Sequence, residues 1–194
     1  MAGLVVIGAG PGIGRSVAAR FAREGLPVTL IARTPGPGVV SADCTDESAL
    51  RAALDTAATR FGPPEVVVYN AALIQADTLG ELPLKDLQEA WAVNVGGILT
   101  TAAHLLPATK TFLITGGMPE PKPAYVSLSL GKAAARTVAD LLQRQFGPQD
   151  VHVATVTVTG PVAPGTFHDP DTIAEHYWDL HREPRPQWRH EVIH

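Results

Sequence analysis

Four glycines between a short apolar run and a helix-forming stretch are the first residues whose types and spacing suggest chemistry. They are Gly8, Gly10, Gly12 and Gly14, within the segment IGAGPGIGRS. Because glycine has no Cβ, its backbone approaches a phosphate closely, and the first N–H groups of the following helix point at the anion. The order strand, glycines, helix therefore predicts a turn that binds the pyrophosphate of a dinucleotide rather than an ordinary structural turn.

A second candidate contact follows the next apolar run, in the segment LIARTPG. Sites that select NAD place an acidic residue at the end of the second strand, where it binds ribose hydroxyls and repels a 2′-phosphate. This sequence has Ala32 near that position, followed by Arg33 and Thr34. An arginine binds phosphate through a fork of N–H groups. We predict NADP(H) over NAD(H), the alternative being that Arg33 is a solvated side chain at a strand end.

The elements that must position these residues follow a regular alternation. Short apolar runs predict strands at 3–8, 27–32, 38–43, 65–72, 110–117 and 150–160, with a candidate seventh at 189–194. Longer stretches predict helices after the glycine turn and at 46–61, 84–106, 124–147 and 170–181. Alternation of this kind predicts an α/β fold: a Rossmann-type, doubly wound parallel sheet of six or seven strands in a three-layer α/β/α arrangement.

Length and composition set the outer limits of the prediction. The 194 residues suffice for one domain, 1–194, with a short substrate-side segment at about 161–182. A formal net charge of -4 argues against a nucleic-acid partner. No run approaches the roughly 18 apolar residues of a membrane span. The single cysteine, Cys44, is typical of a reducing compartment, so we expect a cytoplasmic protein that acts on a small molecule without a metal.

The spacing of the glycines, G-x-x-x-G-x-G with Ile13 completing GIG, resembles the short-chain dehydrogenase/reductase family. Further segments match that family in order along residues 3–162, namely DCTD (43–46), YNAA (69–72), NVGG (94–97) and TGPV (159–162). The resemblance implies a cofactor-binding set made of Gly8, Gly10, Gly12, Ile13, Gly14, Arg33, Thr34, Asp43, Cys44, Asn70, Ala71, Lys132, Gly160 and Val162.

The resemblance also implies where a reaction centre lies. In the family, an asparagine, a serine, a tyrosine and a lysine cooperate in hydride transfer, and the tyrosine donates the proton. Asn94 and Lys132 match two of them, but the tyrosine position, four residues before the lysine, is Leu128. The serine position falls on Thr115, which keeps a hydroxyl, or on Gly116, which has none.

Several residues are candidates to replace the missing acid. Tyr125 lies about one helical turn before Leu128, on a similar face if the helix already includes it. Ser127 and Ser129 flank Leu128 but point to either side of it. Three more candidates lie after the TGPV turn, namely His168, His176 and Tyr177. We predict a catalytic set of Asn94, Thr115, Tyr125 and Lys132.

These residues lead to two functional hypotheses. The first is an NADP(H)-dependent short-chain oxidoreductase acting on a small carbonyl, alcohol or activated double bond. The second is a catalytically weak or inactive module that binds NADP(H) as a structural or redox-sensing ligand. In either case, the helices at 84–106 and 124–146 resemble those that pair between subunits in the family, and a homodimer or homotetramer is expected.

Overall fold

A computed structural model describes residues 3–194, so the first two residues of the predicted domain lie outside the described part. It contains seven strands: β1 Leu4–Ile7, β2 Val28–Ala32, β3 Val39–Ser41, β4 Val66–Tyr69, β5 Thr111–Gly117, β6 His152–Val158 and β7 Glu191–Ile193. All pairings are parallel, in the order β3-β2-β1-β4-β5-β6-β7. The doubly wound parallel sheet, the strand count and the final strand are confirmed.

Six α-helices cover the sheet: α1 Ile13–Arg23, α2 Glu47–Phe61, α3 Leu84–Trp91, α4 Gly97–Leu105, α5 Val126–Phe146 and α6 Pro170–Arg182. A π-helical turn, Ala92–Gly96, joins α3 and α4, so the stretch predicted as one helix at 84–106 is continuous but locally widened. Across residues 3–194, no helix has the length and apolarity that crossing a membrane requires.

Two hydrophobic cores lie on the two faces of the sheet. One packs α2, α4 and α5 against the sheet and includes Leu50, Ile98 and Phe112. The other packs α1 and α6 and includes Phe21 and Tyr177. Because helices cover both faces, the strands are apolar on both sides, which explains their unbroken hydrophobic runs. The strand order reverses between β1 and β4, which places the expected ligand crevice at the carboxyl ends of these strands.

The connection between β2 and β3 differs from a usual helical crossover. β2 ends at Ala32 and β3 begins at Val39, and the register pairs Leu30 with Val39 and Ala32 with Ser41. Since β3 pairs only with the last three residues of β2, the chain steps back a short distance and needs no helix. The loop at 33–38 therefore stays at the carboxyl edge of the sheet, as the ten-residue separation of Arg33 and Asp43 predicts.

Candidate functional site

The carboxyl edge of the sheet brings together residues that are far apart in the sequence. Gly8 follows β1, Arg33 follows β2, Asn70 follows β4, Gly117 ends β5 and Thr159 follows β6. Parallel strands end at the same edge, so the turns after them form one surface. The glycine turn and the predicted reaction centre both lie on this surface.

Two glycines of the turn are required by packing. Gly8 has a φ of +86°, and a Cβ there would lie 2.3 Å from the Ala71 nitrogen. A Cβ on Gly14 would lie 2.5 Å from the Gly8 oxygen. The Asn70 amide donates to that same oxygen at 2.8 Å. Side chains at Gly8 or Gly14 would therefore separate the ends of β1 and β4 and displace α1.

The other two glycines border open space. A Cβ on Gly10 would meet nothing within 4 Å, and one on Gly12 would meet only Val162, at 3.9 Å. Within residues 3–194, no acceptor takes the backbone N–H of Gly12, Ile13 or Gly14. Free N–H groups at a helix start, next to open space, fit the phosphates of a dinucleotide.

Two arginines lie beside the loop that follows β2. Both Arg15, in the first turn of α1, and Arg33 are exposed, and neither forms an ion pair within residues 3–194. The Arg15 guanidinium lies 4.0 Å from where a Cβ on Gly36 would be, so it reaches the loop that follows Arg33. Arg33 is also close enough to Asp43 to favour its ionised form. Arg33 on the loop and Arg15 on α1 thus place two cations next to each other at the sheet edge, where an anion can reach them.

The DCTD segment begins with a carboxylate that is held in place. The Thr45 N–H and hydroxyl donate to Asp43 Oδ1 at 2.9 and 2.8 Å, and they lower the pKa of Asp43 below its usual value. Cys44 is half-buried beside the Tyr69 hydroxyl, and burial raises the pKa of its thiol. Asp43 is thus a fixed acceptor, whereas Cys44 is a protonated, weakly reactive thiol.

Thr115 is engaged on the face of the sheet that α6 covers. Its hydroxyl donates to Asn70 Oδ1 at 2.8 Å and lies 2.7 Å from the Tyr177 hydroxyl. Because the single Thr115 proton goes to Asn70, Tyr177 is the donor in the second bond. Burial raises the pKa of Tyr177 far above its usual value, so the phenol stays protonated. The Thr115 hydroxyl and Tyr177 are both occupied in a buried network.

Lys132 approaches β5 from α5. Its side chain is 7% exposed, and the ammonium donates to the Thr115 carbonyl at 2.7 Å. Within residues 3–194 this is its one hydrogen bond, and it has no carboxylate partner. Burial and the charge of Arg136 lower the pKa of Lys132 to about 8. Two of the three ammonium protons are therefore free for a ligand.

The end of β5 carries no hydroxyl beside this lysine. A Cβ on Gly117 would lie 3.7 Å from Lys132 Cε, whereas one on Gly116 would lie 2.4 Å from Thr157 Oγ1. Gly117, which the sequence pattern did not single out, is thus the β5 position that faces Lys132. Arg136 donates to the Gly117 carbonyl at 2.8 Å and holds this strand end against α5.

Asn94 lies inside the π-helical turn between α3 and α4. Its Oδ1 accepts from the Leu73 N–H at 3.1 Å, and its amide donates to the Leu73 carbonyl at 3.3 Å. A Cβ on Gly131 would lie 2.7 Å from Asn94 Cβ, so α5 passes directly against this turn. The π-helical turn that carries Asn94 and the helix α5 that carries Lys132 are therefore in contact.

The start of α5 provides no aligned acid. α5 begins at Val126, so Tyr125 is its N-cap residue, and the condition under which its phenol was expected to share a face with Leu128 is not met. Leu128 is buried. The Ser127 hydroxyl donates to Asp77, and the Ser129 hydroxyl contacts the Lys122 backbone.

Histidine side chains hold the segment after β6 in place through hydrogen bonds. His168 Nε2 lies 2.9 Å from the Thr159 hydroxyl, and His176 Nε2 lies 2.9 Å from His194 Nδ1. His194 Nε2 lies 2.8 Å from the Phe167 carbonyl. A Cβ on Gly160 would collide with the His168 ring. The imidazoles that were candidates for the acid are thus engaged in holding this segment together.

Comparison with known proteins agrees with this geometry. The family model for short chain dehydrogenase matches residues 3–170. The chain belongs to the short-chain dehydrogenase family. Members of this family are NAD(P)-dependent oxidoreductases. The match spans the glycine turn, Asn94 and Lys132.

Curated relatives of this short-chain dehydrogenase are distant. The "Probable oxidoreductase EphD" of Mycobacterium tuberculosis (strain ATCC 25618 / H37Rv) is 27% identical over 204 residues, which is 88% of this chain. The chain covers only 33% of the length of that protein. "Glucose 1-dehydrogenase 2" of Bacillus subtilis (strain 168) is also 27% identical, with 84% of this chain and 70% of the relative aligned.

Solved structures show the same short-chain dehydrogenase fold. A 3-ketoacyl-(acyl-carrier-protein) reductase from Brucella melitensis, complexed with NADH, aligns with a TM-score of 0.90 and 21% identity over 99% of this chain and 96% of its own. An alcohol dehydrogenase from Thermococcus sibiricus, complexed with 5-hydroxy-NADP, gives 0.88 and 24%, over 100% and 96%. At these identities the likeness concerns the fold.

Three residues of this site were missed by sequence reasoning. Arg15 follows GIG directly, so the sequence alone places a cation in the first turn of the predicted helix, next to the glycines. Gly117 was missed because its direction depends on the twist at the strand end. Tyr69 lies in the YNAA segment, and nothing in the sequence indicates that it contacts the π-helical turn.

Proposed function

We propose that this chain is an NADP(H)-dependent short-chain oxidoreductase that acts on a small carbonyl, alcohol or activated double bond. The observation that carries the proposal is the buried Lys132 ammonium, which has one protein acceptor at 2.7 Å and no counter-ion within residues 3–194. A buried ammonium without a carboxylate counter-ion lowers the free energy of unfolding. A functional role at the edge where the cofactor binds accounts for its retention.

The glycine turn supports cofactor binding. Gly10 and Gly12 leave room for phosphates, and the free N–H groups at the start of α1 supply donors. Asp43, kept ionised by Thr45, is an acceptor for the adenine amino group. Asn70 and Ala71 contribute by shaping the turn, since both contact Gly8.

The preference for NADP(H) rests on charge. Arg15 and Arg33 lie at the loop after β2, and Ala32 stands where an acid would repel a 2′-phosphate. Thr34 is exposed on the same loop and adds a hydroxyl. Two cations that form no ion pair within residues 3–194 favour the more negatively charged dinucleotide.

The chemistry depends on the chain's own donors. A bound nicotinamide supplies or accepts the hydride. Lys132 binds hydroxyl groups through its two free N–H positions, and Asn94 orders the loop at Leu73 beside it. Thr115 contributes its carbonyl, which accepts from Lys132, rather than its hydroxyl, which is bonded to Asn70. Tyr125, the N-cap residue of α5, stays the candidate proton donor. Among the three substrate classes, an activated double bond suits the site best, because solvent can protonate the resulting carbanion.

NADPH consumption with a panel of ketones, enones and imines tests this function. We expect turnover with at least one enone or imine, slower turnover with ketones, and loss of turnover in Lys132→Ala. Arg144→Ala, on the exposed end of α5, is the matched control and should keep activity. Tight NADPH binding without consumption of any panel member would reject the enzyme.

A second candidate function is a module that binds NADP(H) without turnover. Leu128 and Gly117 favour it, because neither residue supplies a hydroxyl next to Lys132. In that case NADPH and NADP⁺ should bind with different affinities, which a redox-sensing ligand requires. Equal affinities in fluorescence titrations, together with panel turnover, would exclude this function.

The helix pair α3–α4 and α5 is the proposed contact between subunits. Leu84, Trp91 and Leu130 are 69%, 47% and 48% exposed and line one apolar groove. Light scattering should show a dimer or tetramer, and Leu130→Glu should shift it towards monomer. Leu79→Glu changes a leucine that is 85% exposed and lies outside the groove, and it should leave the assembly unchanged. A wild-type monomer would contradict the proposal.

A further inference from the structure

The π-helical turn that contains Asn94 requires an extra hydrogen bond. A π-helical turn breaks the regular i→i−4 ladder of the surrounding α-helix, and such turns commonly occur at functional sites. The Val93 carbonyl, next to Asn94, accepts from the Tyr69 hydroxyl at 2.6 Å. This bond comes from the end of β4, a different layer of the fold.

Tyr69 is buried, so its hydroxyl is shielded from water and stays protonated. Its side chain is 1% exposed, and burial raises its pKa well above the usual value, so the phenol stays a donor. Room for the ring depends on a missing side chain, because a Cβ on Gly97 would lie 2.1 Å from the Tyr69 hydroxyl oxygen. The phenol therefore occupies a space that the helix leaves open at Gly97.

The residues after Tyr69 return to the same turn. Asn94 binds both the N–H and the carbonyl of Leu73, at 3.1 and 3.3 Å. The segment 69–73 is thus fastened to the π-helical turn at both ends, by the Tyr69 hydroxyl and by the Asn94 side chain. Between these two points it carries Asn70 and Ala71, which contact the glycine turn at Gly8.

We propose that Tyr69 is a positioning residue: its hydroxyl holds the Val93 carbonyl so that Asn94 stays directed at Leu73 and the cofactor-facing segment 69–73 keeps its place. Where the family pattern reads Asn-Asn-Ala-Gly, this chain has YNAA, so the phenol at position 69, paired with Gly97, departs from what the resemblance implies. The role in turnover rests on the proposed oxidoreductase function, whereas the positioning itself does not.

The test compares Tyr69→Phe, which removes only the hydroxyl, with Thr101→Val. Thr101 is buried on α4, and its hydroxyl donates to the Gly97 carbonyl at 2.7 Å, so both variants lose one buried hydrogen bond near the turn. Amide hydrogen exchange at Leu73 is measured by NMR without cofactor or substrate. After correction for global stability, Tyr69→Phe should exchange at least tenfold faster there, and Thr101→Val at the wild-type rate.

Asn94→Ala completes the cycle. It should accelerate Leu73 exchange by itself, and adding Tyr69→Phe should produce no further acceleration, because both changes act through the same bond. Wild-type exchange at Leu73 in Tyr69→Phe, or fully additive effects, would overturn the proposal. If a substrate is found, kcat should fall at least tenfold in Tyr69→Phe and stay at the wild-type value in Thr101→Val. Faster Leu73 exchange in a chain without turnover would uphold the positioning and reject the enzymatic function.

Discussion

At the carboxyl edge of the sheet, the proposed phosphate end (the glycine turn at 8–14) and the proposed reaction end (Gly117, Leu128 and Lys132) are built from different kinds of groups. At the phosphate end, backbone N–H groups and missing side chains make the site, and Gly8 and Gly14 are fixed by contacts below 3 Å. At the reaction end, the expected chemistry depends on single side chains. Leu128 stands where the family pattern implies a tyrosine, and Gly117, which faces Lys132, has no hydroxyl.

This difference separates two inferences that family membership usually joins. A backbone site survives most changes of side chain, since its donors belong to every residue. A proton donor is lost with one substitution. Belonging to the short-chain dehydrogenase family therefore supports the binding frame more firmly than it supports a particular reaction. Lys132, at the reaction end, has donors for a ligand, and burial lowers its pKa to about 8.

The largest effect is expected at the phosphate end, from Gly8→Ala. A φ of +86° and a contact of 2.3 Å with the Ala71 nitrogen make an added Cβ intolerable. We expect a loss of about 3 kcal/mol or more in the free energy of unfolding, measured by urea denaturation, together with loss of NADPH binding.

Gly10→Ala is the matched comparison in the same turn. A Cβ there meets no protein atom within 4 Å, so the free energy of unfolding should change by less than about 1 kcal/mol. NADPH affinity should nevertheless fall, because the methyl group enters the space assigned to phosphate. Equal destabilisation by the two substitutions would contradict the division between packed and open glycines.

At the reaction end, Lys132→Met should stabilise the free protein and abolish turnover. The pKa of Lys132 falls from 10.5 to about 8 in the folded state. By linkage, this corresponds to a penalty on the order of 3 kcal/mol at pH 7, where both states are protonated. Thermal unfolding without cofactor measures the gain, and NADPH oxidation measures the loss.

The same lysine sets a pH dependence. Between about pH 8 and 10.5 the unfolded chain holds the Lys132 proton more often than the folded one, so wild-type stability relative to Lys132→Met rises with pH over this window. Below pH 8 the difference between the two proteins is constant. A difference that grows as the pH falls from 8 to 6 would show that another group is responsible.

Leu128→Tyr should add a proton donor to the reaction end. The new phenol would lie one helical turn before Lys132, and ketone reduction should rise at least tenfold, a gain of about 1.4 kcal/mol in transition-state stabilisation. Leu128→Phe has the same ring without the hydroxyl and should leave ketone reduction at the wild-type level. Equal rates in the two variants would show that the acid is supplied elsewhere.

The smallest effects concern cofactor choice. Arg33→Ala and Arg15→Ala should each weaken NADPH binding by about 1 kcal/mol, or roughly fivefold, and leave NADH binding nearly unchanged, since each removes one exposed cation from the 2′-phosphate contact. Arg60→Ala, at the exposed end of α2, is the control. Parallel losses for NADPH and NADH would locate both arginines at the pyrophosphate or outside the site.

The sequence predicted the fold because its signals are local. The unbroken apolar runs of buried parallel strands, and the glycines between β1 and α1, depend on neighbours within a few residues. The resemblance to the family also singled out Lys132, Asn94 and the leucine at position 128. The contacts of Thr115 with Tyr177 and of Tyr69 with Val93 join residues 62 and 24 positions apart, and no spacing rule predicts them.

The measurement that tests the central claim most directly is a fluorescence titration of the wild-type chain with NADPH and with NADH. The glycine turn predicts saturable binding of both NADPH and NADH. Arg15 and Arg33, which form no ion pair within residues 3–194, predict that NADPH binds at least tenfold more tightly, whether or not any substrate is turned over. No saturable binding, or tighter binding of NADH, would contradict the account.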